Sequence, residues 1–293
     1  VKILAHYEGA RIQRCQLAPD AATAVLALRD GAMSRLLAIE LRTGRERASV
    51  ELGPGTVESL AVHPDGETVV AAMRGGPLLV CALDDGVAAP LTGFPGREPP
   101  RYIAYGDGGD TLVGCSDEAV GVGLLDPVTG AARWLDLPRV FPSVEPAARG
   151  MREVTVSRDG SLVAAHVGNG RKARVVVLDR TSGELLHDVD CGRMRTTGLR
   201  FTRDGAALFV VHDWHRTSRV DLASGEVTAV RLGRGLEQCL AVSASGRYSV
   251  CRAPRGRLVL VDHRTQHVVA TYDVGPGRWG ARVTSDERAV LAE

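Results

Sequence analysis

Short turn sequences recur through this chain at a nearly constant interval, and this repeat constrains the fold more than any other feature. The first set consists of Asp20-Ala21, Asp65-Gly66, Gly109-Asp110, Asp159-Gly160, Asp204-Gly205, Ser245-Gly246 and Asp286-Glu287, spaced 41 to 50 residues apart. A second set keeps step with the first and consists of Thr43-Gly44, Asp85-Gly86, Thr129-Gly130, Ser182-Gly183, Ser224-Gly225 and Thr265-Gln266. Self-similarity at this period is typical of β-propellers and related repeat folds.

The stretch from Glu153 to Asp190 shows what one repeat contains. Val154 and Val156 alternate with polar residues, which predicts a strand with one buried face. The tight turn Asp159-Gly160 follows. Further apolar strands are predicted over residues 162–166, 174–179 and 184–189. Four antiparallel strands in about forty residues form one blade of a β-propeller.

Seven first turns predict an all-β, seven-bladed β-propeller in a single domain over residues 1–293. The predicted repeats lie near residues 8–53, 54–96, 97–138, 150–191, 192–233, 234–275, and 276–293 together with 1–7. The last repeat is too short for four strands, and the strand-like stretch Val1–Tyr7 has no partner in its own repeat. Because an unpaired edge strand is a pairing hazard, we expect Val1–Tyr7 to close the ring by pairing with the C-terminal strand at 288–292.

The best-formed repeats carry familiar turn motifs. His63-Pro64-Asp65-Gly66 opens a first hairpin, and Val177-Leu178-Asp179 with Ser182-Gly183 closes a third strand. These segments resemble the S-P-D-G and V-x-D-x-x-T-G patterns of WD40 and YVTN-type propeller repeats, and the resemblance covers nearly the whole chain. The Gly-His dipeptide is absent, and Leu178, Val220 or Val261 stands where the tryptophan of a Trp-Asp pair would be. The resemblance implies a propeller whose innermost strands line a central channel, with a binding or scaffold role.

Alternation along the first strand of each repeat sorts its side chains into two sets. The apolar residues, five and three positions before the turn aspartate, are expected to pack between blades, and the intervening residues to face the channel. Residues placed on the channel wall by this count include Arg14, Gln16, Glu153, Arg200, Cys239 and Arg282. Glu58 and Glu237 fall one residue outside the register. Since arginine's planar fork matches carboxylate or phosphate, the arginines predict an anion site; a water-filled structural channel is the alternative.

Further arginines and aromatic residues gather in the predicted loops of one face. The candidate partner-binding residues are Phe94, Arg97, Arg101, Phe141, Arg195, Trp214, Arg278 and Trp279. Aromatic and arginine side chains are enriched at protein interfaces. We therefore predict a non-enzymatic, WD40-like binding or scaffold module that presents an arginine-rich face and channel mouth to a protein partner or to an acidic small molecule or peptide. Nucleic acid is disfavoured because only Lys2 and Lys172 are lysines and aromatic residues make up 4%.

The alternative function is a channel-mouth enzyme of the lactonase, hydrolase or lyase type that acts on an acidic small molecule. Glu153 would serve as its base, and the channel arginines would hold the substrate. The sequence contains no G-x-S-x-G, H-E-x-x-H or P-loop motif. His212 and His215 form only a weak metal-binding signal, so we expect neither a metal nor another cofactor.

Cysteine usage and hydropathy indicate the compartment. None of the six cysteines forms a C-x-x-C pair, and Cys15, Cys115, Cys239 and Cys251 lie in apolar strand patterns, where a free cysteine behaves as a small buried hydrophobe. A reduced, cytoplasmic monomer is the expectation, with a removed leader left open because the numbering begins at a valine. The formal net charge is +1, and no apolar run reaches the roughly 18 residues that a membrane span requires.

Overall fold

Short antiparallel strands joined by tight turns build this protein, as shown by a computed structural model. It describes residues 11–18, 22–95, 99–106, 108–115, 121–137, 151–168, 173–192, 196–212, 217–230, 236–274, 281–283 and 290–292. Within these ranges the chain forms 26 strands, numbered here β1 to β26. Their sequences are rich in valine, leucine and other residues that suit a pleated, half-buried surface.

The first three sheets each hold four strands in sequence order. We refer to the four-stranded sheets as blades and number them along the chain. Blades one to three comprise β1 (Arg11–Leu17), β2 (Thr23–Asp30), β3 (Met33–Glu40), β4 (Glu46–Pro54); β5 (Val57–Val62), β6 (Thr68–Met73), β7 (Leu78–Ala82), β8 (Val87–Leu91); and β9 (Tyr102–Tyr105), β10 (Leu112–Cys115), β11 (Gly121–Leu125), β12 (Ala132–Asp136).

The next three sheets repeat the same order. Blades four to six comprise β13 (Met151–Val156), β14 (Leu162–Val167), β15 (Ala173–Asp179), β16 (Leu185–Gly192); β17 (Thr196–Phe201), β18 (Ala207–His212), β19 (Thr217–Asp221), β20 (Val227–Val230); and β21 (Gln238–Val242), β22 (Tyr248–Ala253), β23 (Arg257–Asp262), β24 (His267–Asp273). Among the described strands, the last two, β25 (Ala281–Val283) and β26 (Val290–Ala292), pair only with each other.

The prediction of seven blades is wrong: the described residues form six four-stranded blades and one two-stranded sheet. Residues 276–293 are long enough for a single hairpin, which is what β25 and β26 form. The stretch Val1–Tyr7, which we expected to complete a seventh blade, lies outside the described residues. Among the described strands no hydrogen-bonded ladder closes a ring, so the predicted closure is corrected as well.

The predicted turns recur as local structures with glycine in the left-handed region. In the first hairpins, Gly66 and Gly160 have φ of 73° and 72°, and each donates its N–H to the carbonyl of the residue three positions earlier. In blade three this role falls to Gly109, whose N–H donates to Gly106 at 2.9 Å. The turn there is therefore one residue ahead of the predicted pair Gly109-Asp110, which explains why this repeat did not fit the register.

The chain divides into two compact units, Lys2–Val156 and Ser157–Glu293 with Val1. The expectation that all repeats form a single domain stays a prediction. In the first unit β1, β5, β9 and β13 contact one another in succession, as innermost strands of a propeller do, and in the second unit β17, β21 and β25 do the same. In each unit the core lies between neighbouring blades, where apolar side chains from both interlock.

Burial along the first strands follows the predicted alternation in blade four, whereas in blade two Ala61, on the predicted channel side, is buried, and blade six departs from it as well. Cys15, Leu60 and Val154 are buried as expected. Cys239, predicted for the channel wall, is fully buried instead. The register between β21 and β22 shifts next to Cys239, and the extra residue, Leu240, reverses the alternation on one side of it. All six cysteines are buried free thiols.

Candidate binding site

Glu58 lies at an irregularity in the first strand of blade two. Val57 pairs with Met73 and Ser59 pairs with Ala72, so Glu58 is the extra residue of a β-bulge at the start of β5. A bulge turns its side chain away from the regular two-residue alternation. This is why counting from the turn aspartate left Glu58 outside the channel register.

Three arginines from three blades converge on this residue. Arg74 donates from Nε to Glu58 Oε1 at 2.6 Å, and Arg101 Nε lies 3.3 Å from Oε2. Arg14 donates from Nε to the backbone carbonyl of Glu58. We call Arg14, Glu58, Arg74 and Arg101 the Glu58 arginine cluster. All four residues belong to the unit Lys2–Val156.

Backbone anchors position the arginines. Arg74 directly follows β6, and its N–H donates to the carbonyl of Thr56 at 2.8 Å. Arg101 directly precedes β9, and its N–H donates to Cys115 at 2.9 Å. Arg14 lies within β1, just after the bulge formed by Gln13. Arg14 therefore extends from within a strand, and Arg74 and Arg101 extend from residues that lie directly next to a strand and whose backbone N–H groups are hydrogen-bonded.

Side-chain hydrogen bonds also tie the innermost strands of these three blades together. Gln13 accepts the backbone N–H of Val57 with Oε1 and donates from Nε2 to Ser34 at 3.1 Å. Ile103 donates its N–H to the hydroxyl of Ser59 at 3.3 Å. The strands that carry the cluster are thus held side by side before any ligand arrives, which reduces the entropy lost on binding.

The glutamate of the cluster is buried, whereas its arginines are exposed to solvent. The side chain of Glu58 is 10% exposed, whereas those of Arg74 and Arg101 are 64% and 39% exposed, and Arg14 is exposed too. Three guanidinium groups against one carboxylate leave an excess of positive charge within the cluster. Its outer surface is therefore suited to a carboxylate or a phosphate, which guanidinium forks bind in a planar, bidentate geometry.

The structure also shows where the other predicted channel residues lie. Gln16 and Glu153 are half-buried in the first unit, and Arg200 is half-buried in the second. The backbone of Arg282 lies in β25 opposite Leu291. A channel site that unites these residues with Arg14 remains a prediction.

Two of the residues predicted for the partner-binding face lie in described segments. Phe94 is half-buried, and its ring fills the space that a Cβ would occupy at Gly114 and at Gly123. It thus packs over the sheet of blade three. Arg101 belongs to the Glu58 arginine cluster. The remaining residues, Arg97, Phe141, Arg195, Trp214, Arg278 and Trp279, lie outside the described residues.

Sequence reasoning did not single out Arg74. A signal was present, since Arg74 follows the second strand of its repeat, in the same connection that carries arginines in later repeats. Within the described ranges no group of three or more histidine, cysteine, aspartate or glutamate side chains is placed to hold a metal ion. The described part of the chain also contains no helix with the length and apolar character needed to cross a membrane.

Comparison with known proteins identifies the fold. No family model and no curated protein matches this chain. Hydrazine synthase of Kuenenia stuttgartiensis matches with a TM-score of 0.72 and 15% identity, over 96% of this chain and 95% of that chain. The β-propeller domain of Cps50 (Swd1) from Myceliophteria thermophila matches with a TM-score of 0.71 and 14% identity, over 96% of both. At these identities the likeness shows a β-propeller fold, and the WD40-type resemblance remains a prediction.

Proposed function

We propose that this β-propeller is a non-enzymatic binding module whose arginine-rich face binds an acidic ligand, either an acidic segment of a protein partner or an anionic small molecule. The observation that supports the proposal is the Glu58 arginine cluster, in which exposed guanidinium groups surround one buried carboxylate. Burying a carboxylate costs free energy unless it is paired with a positive charge. Here the arginines that pair with Glu58 also remain exposed to solvent, where a ligand can reach them.

Glu58 has two roles in this proposal. It holds Arg74 and Arg101 through contacts at Nε, the inner nitrogen of each guanidinium fork. It also competes with an incoming anion for the same positive charge. A ligand carboxylate would approach Arg74 from its exposed side, where 64% of the side chain is accessible, and would add a second anion to a group that carries five N–H donors.

The predicted channel residues extend the proposed surface. Gln16 and Glu153, which belong to the same unit as the cluster, would lie beside it on the wall of the channel. A surface of this kind suits an acidic peptide better than a single small anion, because several guanidinium groups are spread over neighbouring blades.

The enzyme alternative receives no comparable support. Glu153, its proposed base, is half-buried in β13, and within the described ranges no group of three or more histidine, cysteine, aspartate or glutamate side chains is placed to hold a metal ion. The likeness to hydrazine synthase is at the level of the fold. Because one fold hosts many functions, we propose binding as the function.

Binding of a fluorescein-labelled oligoglutamate peptide, measured by fluorescence anisotropy, tests the proposal. Arg74→Gln should weaken binding about tenfold, the lower end of the scale of a charge-assisted hydrogen bond. Glu58→Gln should tighten binding, because it removes the competing carboxylate while keeping the side-chain shape. Arg47→Gln is the matched control. Arg47 lies on the outer strand of blade one and already pairs with Glu67 and Asp84, so this variant should bind the peptide as the parent does.

Citrate added as a competitor separates the two kinds of ligand. Full displacement of the peptide by citrate supports an anionic small molecule, and displacement only at high ionic strength supports an acidic protein segment. The proposal fails if the parent binds neither the peptide nor citrate, or if Arg74→Gln and Glu58→Gln both bind as the parent does.

A further inference from the structure

A cavity of about 420 Å³ lies between blades five and six, within the unit Ser157–Glu293. The residues of its lining that matter here are Asp204, Phe209, Arg219, Gly246, His263 and Gln266. Its volume is within the range of small-molecule sites. It contains none of the residues of the Glu58 arginine cluster, so the inference below is independent of the proposed function.

Comparison with the other blades shows that Arg219 and Phe209 are exceptions to the repeat. The two residues face each other across β19 and β18. At the position of Arg219 the other five blades carry Ala38, Val80, Leu124, Val177 and Leu260. At the position of Phe209 they carry Val25, Val70, Val113, Ala164 and Val250. Blade five alone replaces a small apolar pair with an arginine and an aromatic ring.

Gln266 is a second exception, on the other side of the cavity. Its φ is 58°, in the left-handed region that favours glycine. The equivalent turn residues of blades one to five are Gly44, Gly86, Gly130, Gly183 and Gly225, with φ of 65° to 76°. A non-glycine residue in this conformation is strained, and such strain is concentrated at functional sites.

His263 is the third exception, and its ring is fixed by two hydrogen bonds. The equivalent residues of the other blades are Leu41, Leu83, Pro127, Arg180 and Leu222. Nδ1 of His263 lies 2.9 Å from the carbonyl of Gly246. Because a carbonyl can only accept, Nδ1 carries the proton and Nε2 accepts from the hydroxyl of Ser249 at 2.7 Å. Burial lowers the pKa of His263, so the ring presents a neutral, flat face.

These exceptions gather around one cavity, where the ring of Phe209, 3% exposed, also belongs to the apolar core between blades five and six. At these positions the other blades carry apolar residues or glycine, with the exception of Arg180 in blade four. The combination of Arg219, His263 and Gln266 in one place is therefore a local departure from the repeat. Departures from otherwise consistent local rules are expected at functional sites. We therefore take the cavity to be a binding site.

The cavity is lined by one negatively and one positively charged side chain, those of Asp204 and Arg219. Asp204 accepts the hydroxyl of Thr202 at 2.6 Å, and hydrogen bonds from Thr202 and Ala206 lower its pKa, so it is ionised at neutral pH. The side chain of Arg219 is 39% exposed, and its guanidinium lies 3.5 Å from Asp221. The rings of Phe209 and His263, with centroids 6.0 Å apart, supply apolar surface beside these charges.

We propose that this cavity binds a free amino acid with an apolar or aromatic side chain. The α-carboxylate pairs with Arg219, the α-ammonium pairs with Asp204, and the side chain lies against Phe209 and His263. A zwitterion satisfies both charges of the site, whereas a simple anion or cation satisfies one and is repelled by the other.

Isothermal titration calorimetry of the parent with each proteinogenic amino acid tests the proposal, followed by the deaminated and decarboxylated analogues of the best ligand. Both analogues should bind at least about tenfold more weakly, since each loses one charge-assisted contact. Arg219→Val restores the residue type of the other blades, so it should fold normally and lose binding. Arg47→Gln, in the other unit and outside both proposed sites, should leave amino-acid binding unchanged.

Gln266→Gly separates a ligand-binding role from a structural one. Glycine relieves the left-handed strain, so the variant should melt about 1–3 °C higher and bind the amino acid more weakly. A lower melting temperature would show that Gln266 serves the fold and would overturn the proposal. It is also overturned if no amino acid binds the parent at about 10 mM, if Arg219→Val binds as the parent does, or if the deaminated acid binds as tightly as the amino acid, which indicates an anion site.

Discussion

Replacement of Glu58 with glutamine tests how the arginine cluster is held together. The amide keeps the shape of the side chain and one oxygen that can still accept from Arg74. Its NH2 group, however, is a donor and would face Arg101, which also donates. The variant therefore loses the charge and one of the two contacts, while the bulge and the backbone contact with Arg14 are retained.

The size of the loss follows from the exposure of the partners. A hydrogen bond to a charged group, such as that from Arg74 to Glu58 Oε1, contributes about 1.5–3 kcal/mol when buried, and the contact of Arg101 with Oε2 is an ion pair. Here only the carboxylate is buried, and Arg74 and Arg101 are 64% and 39% exposed, so solvent screens both contacts and neither guanidinium is left buried without a partner. We expect the free energy of unfolding to fall by about 1–2 kcal/mol, less than the 3–5 kcal/mol for breaking a fully buried pair.

Urea denaturation followed by far-UV circular dichroism measures this loss. The matched control is Glu67→Gln, which removes an acid of the same blade as Glu58; Glu67 pairs with Arg47 of blade one, and both side chains are substantially exposed. The control should lose no more than about 0.5 kcal/mol. Equal losses in the two variants, or no loss in Glu58→Gln, would refute the reasoning that burial of this carboxylate strengthens the cluster.

Three further predictions concern the turns and the buried polar pair. Gly246→Ala should destabilise the protein by about 2–4 kcal/mol, because its φ is 71° and a Cβ would lie 2.5 Å from the ring of Phe209. Gly205→Ala, where φ is 68° and the space around the new Cβ is open, should cost about 1 kcal/mol. Thermal unfolding of the two variants therefore separates the steric clash from the backbone strain. Ser249→Val and His263→Leu should each cost about 1–3 kcal/mol because each leaves one partner of their hydrogen bond unsatisfied. The double variant restores apolar residues at both positions, so it should lose less than the sum of the two single variants, although the carbonyl of Gly246 still loses its donor; strictly additive losses would contradict this. Hydrogen bonds from the hydroxyls of Ser157 and Ser161 lower the pKa of Asp159 in the folded protein. The unfolded chain therefore binds more protons, and the free energy of unfolding should fall as the pH drops below about 4 through the folded-state pKa. Denaturation at several pH values should show a weaker acid dependence for Asp159→Asn than for the parent.

The repeat and its turns could be predicted from the sequence because their causes are local. Asp159-Gly160 and Ser182-Gly183 were assigned to turns on residue type alone, and both glycines have positive φ in the structure, 72° and 76°. The strands between them follow from alternation and β-branched residues. Local chemistry of this kind was sufficient to predict a β-propeller.

The number of blades could not be obtained in the same way. Counting turns gave seven because Asp286-Glu287 fits the period, yet the strands around it form only a two-stranded sheet. Whether a hairpin becomes a blade depends on pairing with strands that are distant in sequence. Turn motifs carry no information about that pairing.

The candidate sites depended still more on the tertiary structure. Alternation placed Arg14 on the channel wall, but the bulge at Glu58 broke the two-residue period on which the count relied. Sequence alone showed arginines in several repeats; only the folding of three blades side by side brought Arg74 and Arg101 to the same carboxylate. A strand's own residues determine that it is a strand and which way most of its side chains alternate. The contacts between strands of different blades, which arise from packing across long sequence separations, decided which charges meet.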